Sequence, residues 1–218
     1  MRKRRGLPIL SALLLSGCVG WIHKGEELTG PTVNDQGFSL LTEAGIAEIK
    51  KSRHARFDLT SRELTRQAVG LAGSKYEPMI GTPGGPDLIF IFLGPTAEEN
   101  VVTQNITFAS TDLTDTLNLI VWFSAPPNIE AAHAELRAGI HRWGFRPEDV
   151  ERWIANSGKR DTDKETLGMG LGPAGLIVEV TARKKNGNDI YQYGMELDPA
   201  LYTAEAIGSI KKTGKEVR

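Results

Sequence analysis

Three strand-length runs follow one another between residues 88 and 124, and the connections between them are too short for a crossover helix. "LIFIFL", residues 88–93, is continuously apolar, the pattern of a strand covered on both faces. Residues 101–109 alternate, with Val102, Ile106 and Phe108 set to one face and Thr103, Asn105 and Thr107 to the other. Residues 116–124 alternate again, placing Leu117, Leu119, Val121 and Phe123 together. Parallel pairing of such neighbours needs a crossover of a dozen residues or more, so antiparallel pairing is expected.

Helices flank this β segment. Pro126-Pro127 ends it, and Ile129, Ala132, Leu136, Ile140 and Trp143 then recur on one helical stripe that Gly144 stops. Pro147 opens a second helix at its favoured first position. Glu148 and Asp149 complement the helix dipole there, and Val150, Trp153 and Ile154 form the buried face up to Gly158. Upstream, residues 43–53 run from acidic to basic. In residues 60–72, Thr60 and Glu63 are spaced as a capping box ahead of Leu64, Ala68 and Leu71. Two more strands follow the polar stretch after Gly158. Leu176, Val178 and Val180 mark one; Tyr191, Tyr193, Met195 and Leu197 mark the other, with Asn186-Gly187 between them as a hairpin turn. The reading is α+β: an antiparallel sheet of about five strands with helices packed mainly on one face, in a single domain over residues 38–207. Residues 18–37, dense in Gly and Pro, read as a flexible tether. Residues 208–218, with Lys211, Lys212 and Lys215, read as a flexible polar tail.

The first eighteen residues have a different character. Arg2, Lys3, Arg4 and Arg5 precede an apolar run from Leu7 to Leu15, the layout of a cleaved secretory signal over residues 1–17. The run is too short to cross a bilayer, which takes about 17 residues or more. Leu15-Ser16-Gly17-Cys18 resembles the lipobox of bacterial lipoprotein precursors. That resemblance implies that the Cys18 thiol accepts a diacylglyceryl group and that a peptidase recognising Leu15, Ser16 and Gly17 cuts before Cys18. Each buried methylene contributes roughly 0.8 kcal/mol, and two or more acyl chains make attachment stable. Cys18 is the single cysteine, so an acylated chain keeps no thiol for a disulfide, a metal site or a nucleophile. Val19, where an aspartate would signal inner-membrane retention, implies the outer membrane facing the periplasm in a two-membrane cell. In a single-membrane cell the outer face of the plasma membrane is implied.

Charge bounds the partners. The 26 Lys+Arg stand against 27 Asp+Glu, and cleavage removes four cations and no anions, leaving 22 against 27. A mildly acidic domain without a basic block is no nucleic-acid binder, since phosphate neutralisation dominates that affinity. The expected partners are the membrane, through the anchor, and a protein of the envelope.

Catalytic and metal signals are thin. Glu130 and His133 have the Glu-x-x-His spacing of di-iron bundles, but the partner helices such a site needs are missing. His133 reads instead as a packed histidine, with His141 on the polar flank. Asp161, Asp163 and Glu165 alternate like calcium ligands, yet Thr166 stands where the loop requires glycine, so a solvated acidic loop is the better reading. Gly168, Gly170, Gly172 and Gly175 precede a strand rather than a helix, which excludes a phosphate cradle. No motif asks for a cofactor. The expectation is a non-catalytic binding domain, of which a toxin-immunity or inhibitor protein is one form, against an envelope hydrolase acting on wall or lipid substrates. A binding module should expose an apolar patch or a free sheet edge; an enzyme should present a deep pocket with converging polar groups.

Overall fold

The computed structural model describes residues 28–110, 115–156, 165–185 and 188–213. The lipobox with Cys18, Asp161, Asp163, the Asn186-Gly187 turn and residues 214–218 lie outside the described residues. The chain runs α1 (Glu43–Ser52), β1 (His54–Asp58), β2 (Met79–Gly81), β3 (Leu88–Leu93), β4 (Glu98–Thr103), β5 (Asn105–Ala109) and β6 (Leu119–Ser124). It continues through α2 (Ile129–Arg142), α3 (Pro147–Asn156), β7 (Glu165–Leu171), β8 (Ile177–Lys185), β9 (Asn188–Glu196), a 3-10 turn (Pro199–Tyr202) and α4 (Ala204–Thr213).

The class is α+β, but the single five-stranded sheet is corrected to two sheets. One has the order β1-β3-β4, the other β2-β5-β6-β9-β8-β7. The short connections do give antiparallel β3–β4 and β5–β6 pairs. The parallel pair joins β1 to β3, whose long connection over residues 59–87 makes it possible. Phe57 of β1 lies 5.0 Å from Phe108 of β5 and 5.9 Å from Phe92 of β3, ring to ring, so the two sheets bury one shared core.

The split between sheets falls at Gln104. Thr103 is buried there, its hydroxyl 3.0 Å from the carbonyls of both Asn105 and Phe123, and it pins the corner. One residue spent in the corner shifts the period-2 phase: Val101 and Thr103 point inward from β4, Ile106 and Phe108 inward from β5. The expected common face of Val102, Ile106 and Phe108 is thereby overturned, and Val102 is left 58% exposed. The phase of residues 116–124 also inverts. Leu117 is buried, but within β6 it is Ile120 and Trp122 that face the core, and Phe123 is 40% exposed.

The helix expected over residues 60–72 does not form. Asp58 Oδ1 accepts from both the amide (2.9 Å) and the hydroxyl (2.7 Å) of Thr60, and Arg62 sits in the left-handed region at φ 60°. Side-chain bonds to local backbone compete with the helix here and win. Leu64, Val69 and Leu71 are still buried, through a series of turns. By contrast α1 follows its sequence signals, capped by Thr42, whose hydroxyl accepts from the Gly45 amide at 3.1 Å.

Both ends of the domain move outward. Asn34 Oδ1 accepts from the amides of Gln36 and Phe38 at 3.0 Å, and Val33 bridges to Ser39, so residues 33–37, at the end of the expected tether, are bonded into the fold. At the other end, residues 208–213 continue α4. Ile210 is only 1% exposed and clusters with Met169, Ile177 and Leu201. Ala206 and Ile210, buried about one helical turn apart, dock a segment whose lysines suggest a solvated tail.

Candidate functional site

β4 is the end strand of its sheet, and its outer edge forms one wall of a groove. The direction of its backbone groups follows from the pairing. Ile89 donates its amide to the Arg53 carbonyl (2.8 Å), toward β1 and away from β4. Ile89 is the partner of Val102, so theirs is a non-hydrogen-bonded pair and the Val102 amide and carbonyl point outward. Asn100, two residues back, points the same way.

Asn100 is covered where Val102 is not. Its carbonyl accepts from Arg142 Nη2, and its amide donates to Glu99 Oε1 at 3.1 Å. Arg142 Nε in turn donates to Glu99 Oε1 at 2.8 Å, closing a small ring of bonds that satisfies the strand edge as a neighbouring strand would. The guanidinium carbon lies over Trp143, 4.4 Å from the ring centroid.

Beneath Arg142 is a cavity of about 260 Å3 between β4 and α2, walled by Trp122, Ser124, Glu135, Trp143 and Tyr193. Glu135 comes from the buried side of α2, three residues after Ala132 and four before Gly139. Ser124 Oγ donates to its Oε2 at 2.8 Å, and the Tyr193 hydroxyl donates to its Oε1 at 2.7 Å. Tyr193 is 3% exposed and stacks on Trp122 at 5.3 Å. Burial, followed by the nearby Glu135 charge, pushes its phenol well above the ordinary range, so it stays a donor. Next to the cavity, across Val102 and Ser124, lies an open depression of about 400 Å3 lined by Asp87, Gln104, Asn105 and Phe123. Val102 and Phe123 are among the most exposed large apolar side chains, and both face it.

The residues singled out from the sequence fall elsewhere. Glu130 and His141 are exposed on α2, and His133 is half-buried. On α3, the hydrogen bond from Arg137 holds the Glu151 carboxyl below its usual range. Arg137 reaches Glu151 through two bonds of 2.8 and 2.9 Å. Glu165 opens β7 opposite Ala182, half-buried. Among the described residues no three His, Cys, Asp or Glu side chains stand close enough to hold a metal ion. None of the described helices is long and apolar enough to cross a membrane.

No family model, curated protein or solved structure matches the chain. The groove is therefore interpreted from its own chemistry. Sequence reasoning missed Glu135, Ser124, Arg142 and Glu99. Glu135 lies about 100° around the helix from Leu136, outside the apolar stripe, so the helical pattern carries no signal for it.

Proposed function

We propose that this protein is an exported envelope lipoprotein, fixed to a membrane through acyl groups on Cys18, whose domain binds an extended segment of a partner protein along the outer edge of β4. The observation that carries the binding half is the conjunction at Val102. Outward backbone groups on an end strand, an exposed apolar side chain, and a depression shared with Phe123 occur at one place. Strand addition uses such an edge: main-chain bonds give affinity, and adjoining pockets select alternate side chains. The anchor rests on the order of Arg2–Arg5, the apolar run and Leu15-Ser16-Gly17-Cys18. The domain then works beside a lipid surface, facing the periplasm from the outer membrane in a two-membrane cell, or outside the plasma membrane in a one-membrane cell. An immunity or inhibitor role is the same reading with a toxin as the partner.

Crosslinking in native membranes tests both halves. Wild type should sediment with membranes and give an adduct that Val102→Asp loses; Cys18→Ser should release the protein from membranes. A Cys18→Ser chain that still partitions with lipid contradicts the anchor. An adduct indifferent to position 102 contradicts the edge.

A further inference from the structure

We propose that the cavity beneath Arg142 is a receptor for an alkylammonium group, held by the Glu135 carboxylate against aromatic walls. A carboxylate offers about four lone-pair positions. Two are taken by the hydroxyls of Ser124 and Tyr193, which are neutral donors and leave the negative charge in place. The cation in the same wall is already committed: Arg142 is bonded to Glu99 at 2.8 Å and lies on Trp143. Of the two charged side chains that line the cavity, Arg142 and Glu135, the cation is thus paired with Glu99 outside the lining, which leaves the Glu135 carboxylate as the charge without an ionic partner. Trp122, Trp143 and Tyr193 line the cavity beside this carboxylate and give it aromatic walls.

These features select the ligand class. An anion would face the Glu135 charge without a free cation to receive it. At about 260 Å3 the space lies below the common range for drug-sized ligands, which suits a single alkyl chain ending in N–H donors. The cavity adjoins the Val102 depression through Ser124, so a lysine side chain of a bound strand is the source nearest to hand. That choice of source rests on the function proposed above; the ammonium site itself does not.

The test uses the full-length chain in detergent micelles and follows tryptophan fluorescence, since Trp122 and Trp143 line the cavity. n-Butylammonium, n-butanol and butyrate are titrated in parallel. The ammonium should bind about tenfold or more tighter than the alcohol, the margin of a charge-assisted bond over a neutral one, with no response to butyrate. Glu135→Gln should remove that margin. If this variant does not fold, the ammonium-to-alcohol comparison in the unaltered protein decides alone. Equal binding of ammonium and alcohol, or none by either, overturns the site. A capped Val-Thr-Lys-Thr-Val peptide then separates the sources. If it outbinds both butylammonium and its own Gln counterpart, a strand-borne lysine is the ligand; if the free amine binds as well as the peptide, the site takes a soluble amine. A peptide that binds through Val102 with Lys and Gln forms equal sinks this inference and leaves the proposed function standing.

Discussion

Tyr193 and Glu135 stand 58 residues apart in the chain and 2.7 Å apart in the fold, the phenol donating to the carboxylate across the floor of the groove. The bond ties β9 to α2, and Ser124 extends it to the end of β6. Tyr193 is 3% exposed, and Glu135 is the acceptor its hydroxyl uses. Glu135→Leu should destabilise the domain by about 1–3 kcal/mol in urea unfolding, the cost of a buried unpaired donor. In a Tyr193→Phe background the same substitution should cost clearly less. Equal costs in both backgrounds would mean the bond is not the reason.

Alkaline pH should unfold this protein through its phenols. Tyr202 is raised to about 12, and Tyr191 and Tyr193 are pushed well above the ordinary tyrosine range, burial being the first cause in each case. The folded state holds these protons more tightly than the unfolded chain, whose tyrosines ionise near 10. Their contribution is therefore complete below pH 10 and is lost as pH climbs from about 10 toward 12 and beyond. Phenolate absorbance should rise together with loss of the folded circular dichroism signal. Full ionisation of all 4 tyrosines in a still-folded chain contradicts the burial.

Two glycines should respond to alanine in opposite directions. A Cβ on Gly170 would collide with the backbone carbonyl of Trp143 and with Gly144, where β7 passes the end of α2. Backbone cannot step aside as a side chain end can, so Gly170→Ala should cost about 1–3 kcal/mol. Gly208, inside α4, has nothing near its Cβ position, and Gly208→Ala should stabilise by about 0.5–1 kcal/mol. Paired thermal melts separate the two effects.

Ile210→Ala should cost about 2–5 kcal/mol, because its side chain is buried against Met169, Ile177 and Leu201. A change below about 0.5 kcal/mol would return this stretch to the solvated tail its lysines suggest.

What the sequence discloses and what it hides follow a physical division. Local signals survive: the acidic-to-basic run of residues 43–53 forms α1, Pro147 opens α3, and β8 pairs with β9 down to Lys185–Asn188, on either side of Asn186-Gly187. Non-local decisions do not. The parallel β1–β3 pair is fixed by contacts across residues 59–87, and the sheet switch at Gln104 depends on where Thr103 finds carbonyls 3.0 Å away. A one-residue corner inverts every side chain after it, which is why Val102 and Ile106 were assigned to one face. Cap and hydroxyl competition at Thr60 looked like a helix start because a capping box and an Asp58 turn use the same residue types. The groove was the least legible feature. Its parts come from β4, β6, α2 and β9, and Glu135 stands off the apolar stripe of its helix, so no local pattern marks it in sequence.

The most direct test of a strand-binding edge is amide hydrogen exchange across residues 98–104, compared between the free protein and the complex captured in membranes. Asn100 already donates to Glu99 and should change little, whereas the outward Val102 amide should slow markedly as it gains a carbonyl from the partner. Unchanged exchange at Val102 in a complex that is otherwise intact would contradict the account.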